Sequence, residues 1–198
     1  MTTICIVRHG QTDWNVEKRL QGQTDIPLND IGRQQARKAG EILRLSFWNR
    51  IISSPLARAR ETADIIHRSS KNFPAVELRD EFMERSFGKA EGLSRQEREE
   101  RYPDEEFVGG EEMGPFIARV MSGIENLRHE CAGERVMLVT HGAVINAIIG
   151  SIAEEGFEYG VLQNACLSEI EWEGSTWRIR TCNETGHLAD RSDNQAIV

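Results

Sequence analysis

Ile4-Cys5-Ile6-Val7-Arg8-His9-Gly10 is the stretch on which the rest of the chain turns. Four consecutive apolar residues without alternation are the pattern of a short strand buried on both faces, as in the middle of a parallel sheet. The run stops abruptly on a guanidinium, an imidazole and a glycine. In open α/β sheets, ligands bind beyond the carboxyl ends of the strands. A charged pair set directly against a buried strand and left without a partner would cost on the order of several kcal/mol. Arg8 and His9 therefore call for an anionic ligand.

Outward from this strand, helices and strands alternate. Asn29 can cap a helix reaching to about Leu45, with Ala36, Ala39, Ile42 and Leu43 on one face. Residues 50–53 form a second strand. Ser54 and Pro55 are the N-cap and first residue of a helix running to about Ser69. Residues 74–114 read as irregular, with turn signals at Gly88, Gly92, Pro103 and Gly109-Gly110. Met113, Phe116, Ile117, Val120, Met121, Ile124 and Leu127 then recur at spacings of three and four, an amphipathic helix. Val136-Met137-Leu138-Val139 is another buried strand, leading into His141-Gly142 and an apolar helix through Ile152. Residues 166–172 and 177–182 flank Glu173-Gly174-Ser175-Thr176 as an antiparallel hairpin. The expected architecture is an α/β three-layer sandwich (α/β/α) with a mostly parallel central sheet and a C-terminal antiparallel hairpin. Residues 1–190 read as one domain, with a frayed tail at 191–198.

At 198 residues, 39% hydrophobic and 28% charged, the chain suits one α/β domain and is neither disordered nor fibrous. Its net charge of −8 argues against a nucleic-acid or anionic-membrane surface. No apolar run approaches the ~18–20 residues that span a bilayer. The N-terminus enters a strand at once, leaving no room for a secretory signal, so a cytoplasmic location is expected. Cys5, Cys131, Cys166 and Cys182 are scattered, without the spacing of a disulfide framework or zinc site. A monomer is the default.

Three segments deliver charged groups to one sheet edge. The first strand ends in Arg8-His9-Gly10, the second leads to a helix start carrying Arg58, and the third ends in His141-Gly142. Phosphate explains the convergence, because each guanidinium can grip its oxygens bidentately and stays charged at every relevant pH. Gly10 and Gly142 permit close approach with backbone N–H groups aimed at the ligand. The start of the Pro55 helix adds partial positive charge. A neutral imidazole can attack phosphorus, while a second, protonated one stabilises charge on the transferring group. A lone histidine is more often structural than catalytic, which suffices for His67 and His129. Arg60, Arg68, Arg98 and Arg101 read as solvated helix surface. A zinc hydrolase built on the two histidines and a carboxylate is disfavoured by arginine adjoining the ligand. A binding module without turnover would be expected to have lost one of the histidines.

Val7-Arg8-His9-Gly10-Gln11-Thr12-Asp13-Trp14-Asn15 resembles the signature of the histidine phosphatase superfamily, in its phosphoglycerate-mutase-like branch. Leu28-Asn29-Asp30-Ile31-Gly32-Arg33-Gln34-Gln35-Ala36, Ser53-Ser54-Pro55-Leu56-Ala57-Arg58-Ala59 and Val139-Thr140-His141-Gly142 match further motifs in order. The match spans roughly residues 4–150, in the style of the small bacterial broad-specificity phosphatases. The resemblance implies a phosphohistidine on His9, a phosphate pocket of Arg8, Arg58 and His141, and pocket-lining roles for Asn15 and Gln21. It makes Glu84 the proton donor and the nearby Glu91 structural. It implies a small phosphorylated metabolite as substrate, with no metal or cofactor, and keeps a cofactor-dependent phosphoglycerate mutase as the alternative. His187 also has a counterpart in similar sequences, without a role that the sequence explains.

Overall fold

A computed structural model describes residues 1–104 and 106–189. The tail expected to fray, 191–198, lies outside the described residues. Six strands form one sheet in the order β3-β2-β4-β1-β5-β6. Strand β1 (Thr2–Arg8) pairs in parallel with β4 (Arg135–Thr140), which pairs in parallel with β2 (Arg50–Ser53). β2 in turn pairs in parallel with the three-residue edge strand β3 (Val76–Leu78). On the other side of β1, β5 (Leu167–Glu173) and β6 (Thr176–Glu184) run antiparallel.

The continuous apolar runs in β1 and β4 are explained by helices on both faces. Cys5 and Val7 of β1, with Met137 and Val139 of β4, pack under Ala39 and Leu43 of α2 (Asp30–Leu43) and Ala59, Ala63 and Ile66 of α3 (Ala57–His67). Ile4 and Ile6, with Val136 and Leu138, face Phe116, Val120, Ile124 and Leu127 of α5 (Met113–Glu130) and Val144, Ile145, Ile148 and Ile149 of α6 (Gly142–Ile152). Each fully buried Ile, Leu or Phe contributes roughly 1.5–3 kcal/mol of hydrophobic transfer. The three-layer architecture with its C-terminal hairpin is the expected one.

Several local readings change. Helix α3 does not start at Ser54-Pro55: its N-cap is Leu56, without a side-chain cap bond, and its first residue is Ala57. Ser54 is drawn elsewhere, as the site geometry makes plain. The stretch 74–114, read as irregular apart from the helix surface at Arg98 and Arg101, holds β3 as well as that helix, α4 (Arg95–Arg101), opened by a capping box between Ser94 and Glu97. The four-residue helical turn α1 (Asp13–Val16) is closed by a capping box between Thr12 and Asn15. These elements are too short for periodicity to show.

Candidate active site

The carboxyl ends of β1, β2 and β4 do converge, and they bring Arg8, His9, Ser54 and His141 to one edge. His9 and His141 lie with ring centroids 5.3 Å apart and are 2% and 0% exposed. His9 Nδ1 is 2.7 Å from the carbonyl oxygen of Gly10. A carbonyl can only accept, so Nδ1 carries the proton and Nε2 presents its lone pair. Arg58 Nε donates to that lone pair at 3.3 Å. Burial, then the charges of Arg58 and Arg8, hold the His9 pKa well below its ordinary value. The imidazole is therefore neutral at neutral pH, the state a nucleophile needs.

Arg58 is 1% exposed and is fixed by donating to the carbonyls of Gly22 at 2.6 Å and Thr24 at 3.0 Å. Arg8 Nη1 donates to the Leu162 carbonyl at 2.5 Å, while its buried Nε has no protein partner among the described residues. A Cβ on Gly142 would lie 3.5 Å from that Nε, so glycine there leaves the donor uncovered. His141 Nε2 is 2.7 Å from Ser54 Oγ, and its buried Nδ1 is likewise unpartnered. The unpartnered buried nitrogens on Arg8 and His141 are open to an anion, although His67, Arg98 and Arg135 also carry one among the described residues. The His141 pKa is also pushed well below its ordinary value, by burial first and then by Arg58, His9 and Arg8. Without an anion the second imidazole is thus neutral. A phosphate dianion beside it would favour protonation.

Glu84 is 9% exposed, and its Oε1 and Oε2 accept from the backbone N–H groups of Arg85 at 3.1 Å and Ala143 at 3.3 Å. Burial raises its pKa, against the opposing pull of Arg58, those two hydrogen bonds and Arg8. The carboxyl that would protonate a leaving group is therefore biased to hold its proton. Glu91 is built differently. Its carboxylate accepts from Gln23 N, Thr24 N, Thr24 Oγ1 and Phe87 N, tying two loops together.

Two expected ligand donors are spent inside the protein. Gly10 N donates to Thr62 Oγ1 at 3.1 Å, and a Cβ on Gly10 would fall 2.4 Å from the Gly32 carbonyl oxygen. Glycine at position 10 serves contact with α2. At the start of α3, Ala57 N donates to Asp25 Oδ1 at 2.6 Å, so a carboxylate already takes up that helix end. The helix start that does meet the site belongs to α6, at Gly142. Asn15 and Gln21 are both bonded to Thr12, three residues beyond His9. Asn15 Oδ1 accepts from Thr12 N at 3.0 Å and from Asn164 Nδ2 at 3.2 Å, and Gln21 Oε1 accepts from Thr12 Oγ1 at 2.9 Å. Sequence reasoning missed Ser54, Thr62 and Asn164. Only Thr62 carried a signal, one helical turn beyond Arg58 on the same face.

A sequence model of the family described as "Histidine phosphatase superfamily (branch 1)" matches residues 4–185. The "Uncharacterized phosphatase PhoE" of Bacillus subtilis strain 168 is 41% identical over 96% of this chain and 98% of its own length. "Phosphoglycerate mutase-like protein 4" of Arabidopsis thaliana is 32% identical over 94% of this chain and 87% of its own. Among solved structures, Bacillus stearothermophilus YhfR superposes with a TM-score of 0.85 at 26% identity, covering 96% of this chain and all of that one.

Proposed function

The chain belongs to the histidine phosphatase superfamily, and from that premise we propose that it hydrolyses phosphomonoesters of small metabolites through a phosphohistidine on His9. The observation that carries this reading is the buried, neutral His9, its Nε2 lone pair beside Arg58 and its ring 5.3 Å from that of His141, with unpartnered nitrogens on both Arg8 and His141. In the first step Nε2 attacks phosphorus as the ester P–O bond breaks. Glu84 gives its proton to the departing oxygen, which would otherwise leave as an alkoxide. In the second step water attacks the phosphohistidine, the Glu84 carboxylate takes a proton from that water, and the N–P bond breaks. Inorganic phosphate, neutral His9 and protonated Glu84 result. Arg8, Arg58 and His141 neutralise charge on the phosphoryl oxygens throughout, the larger part of what phosphoryl transfer asks of a protein.

Hydrolysis is favoured over mutase chemistry by what lies between Glu84 and His141. A mutase must shield its phosphohistidine from water until a second hydroxyl arrives. Here α5 is committed to the core through Phe116, Val120, Ile124 and Leu127, and the other α-helix of this stretch among the described residues, α4, has seven residues. The test supplies 3-phosphoglycerate with catalytic 2,3-bisphosphoglycerate and follows 2-phosphoglycerate and free phosphate together, beside a panel of other esters. Phosphate release from esters without matching isomerisation supports the phosphatase. Isomerisation outrunning release by a large factor overturns it.

A further inference from the structure

The loop between α6 and β5, residues 161–165, touches three site residues through its backbone and one side chain. The Leu162 carbonyl orients the Arg8 guanidinium. Ala165 N and Asn164 Nδ2 both donate to the His9 carbonyl, each at 3.2 Å, and the same Asn164 nitrogen reaches Asn15 Oδ1. The loop is not a relaxed one: Ala165, fully buried, sits at φ +57°, in the left-handed region that disfavours a residue with a Cβ. Something must hold it there.

Two residues far along the chain do so. Asn183, near the end of β6, adopts φ +59°, which asparagine tolerates better than most residues. Its side chain uses both of its polar groups on the loop. Oδ1 accepts from Gln163 N at 2.9 Å, while Nδ2 donates to the carbonyls of Val161 at 3.0 Å and Tyr159 at 3.2 Å. Its own N–H donates to Ser168 Oγ at 3.0 Å. His187, in the turn Gly186–Leu188 after β6, places Nε2 3.1 Å from the Ala165 carbonyl. That turn is moored to α2 by Lys38, whose Nζ donates to the Leu188 carbonyl at 2.8 Å. Burial lowers the His187 pKa, the bond to Ala165 opposes this, and Lys38 lowers it further, so a neutral ring donates through a protonated Nε2.

We propose that Asn183 and His187 are positioning residues for the phosphate site, acting through loop 161–165 to set the Arg8 guanidinium and the His9 main chain. Neither touches the reacting atoms. The proposal rests on the reading of Arg8 and His9 as oxyanion-binding groups, and goes beyond it by giving His187 a role. Glu84 is held from Arg85 and Ala143 and not from this loop, and Arg8 is the weakest of the influences on its pKa, so proton donation should change little.

The test compares His187→Ala, His187→Gln, Asn183→Gly and the wild type in orthovanadate affinity by calorimetry, and in turnover of an alkyl and an aryl phosphate. Glutamine can place an amide N–H near the position of His187 Nε2, and glycine keeps the backbone of Asn183 without its side chain. His187→Ala and Asn183→Gly should each weaken vanadate binding and lower kcat/KM by about tenfold or more. The ratio of alkyl to aryl turnover should stay as in the wild type, and His187→Gln should recover most of both losses. Vanadate affinity within about twofold of wild type in both truncations would overturn the proposal, as would an altered alkyl-to-aryl ratio. Should His187→Ala not fold, affinity kept by His187→Gln and lost by Asn183→Gly supports it, and any other pattern overturns it. Vanadate binding needs no turnover. A wild type that binds vanadate but hydrolyses no ester therefore defeats the phosphatase reading and leaves the positioning proposal still decided by affinity.

Discussion

Arg58 Nε lies 3.3 Å from His9 Nε2 and donates to it, so the guanidinium occupies the lone pair that, on the proposed mechanism, attacks phosphorus. The contact is long for an N–H···N bond, and Arg58 keeps two stronger ones to the Gly22 and Thr24 carbonyls. A phosphate dianion would offer the same Nε a charged acceptor and so, on the proposed mechanism, free His9 Nε2 for attack. Arg58→Ala should lower kcat/KM by about 10²–10³-fold, the usual loss for one removed oxyanion donor. It also leaves the buried Gly22 carbonyl without its donor, at a cost of about 1–3 kcal/mol, while the Thr24 carbonyl keeps the Ile26 N–H. Thermal unfolding beside steady-state kinetics separates the two effects. Full activity in a destabilised variant would contradict the assignment.

Glu84→Gln keeps the shape of the carboxyl and removes its proton. Hydrolysis of alkyl phosphates should fall by about 10²–10⁴-fold, and that of p-nitrophenyl phosphate, whose leaving group needs little protonation, by much less. Glu91→Gln should instead lower stability, because its oxygens gather five donors from two loops. Equal losses on both esters for Glu84→Gln, or the leaving-group pattern in Glu91→Gln, would reverse the two roles.

The pKa directions set the pH profile for an alkyl ester. Attack needs His9 neutral, a condition met above a pKa held well below 6.5, and donation needs Glu84 protonated, a condition met below a pKa raised above 4.5. Activity should therefore fall as pH rises through the raised Glu84 value, and this alkaline limb should disappear in Glu84→Gln. An unchanged alkaline limb in that variant would assign the limb to another group.

Stability should respond to pH as well. His9 and His141 have folded pKa values below their unfolded value of about 6.5, so below that pH the unfolded chain binds protons that the folded site refuses. Their penalty is absent above about pH 6.5 and grows as pH falls, by up to about 1.4 kcal/mol per pH unit for each histidine. Glu84 works in the opposite sense, since its raised folded pKa makes its contribution full below its unfolded value and lost as pH rises. Against a Glu84→Gln background, replacing both histidines by asparagine should flatten the fall in thermal midpoint between about pH 7.5 and 5.5. An equal fall with and without the histidines would count against buried neutral rings.

Chelation should leave turnover unchanged, because the nucleophilic nitrogen faces a guanidinium and the site's charge neutralisation comes from Arg8 and Arg58. Loss of activity with a chelator, restored by zinc or manganese, would favour the metallohydrolase reading.

What the sequence disclosed and what it hid divide along physical lines. The buried strands announced themselves through unbroken apolar runs, and Arg8, His9 and His141 through the oddity of charge at a strand end. Arg58 came from the helix start expected at the same sheet edge, and Glu84 from the family resemblance. The hydrogen bonds that aim these groups were hidden, because they join residues with no sequence relation: Ser54 to His141, Asn164 to His9, Leu162 to Arg8. Ser54 shows how a local rule misleads. Serine before proline reads as a helix cap, yet its hydroxyl meets His141, and the helix begins at Ala57. Gly10 likewise reads as a ligand donor while its N–H serves Thr62.

The most direct measurement is chemical trapping of the intermediate. Brief mixing with a radiolabelled phosphate ester, an alkaline quench and peptide mapping should place an acid-labile, alkali-stable phosphoryl group on His9, with none formed by His9→Ala. Glu84→Gln should still form the adduct from p-nitrophenyl phosphate and hydrolyse it slowly. Label on another residue, or wild-type turnover by a folded His9→Ala, would contradict the account.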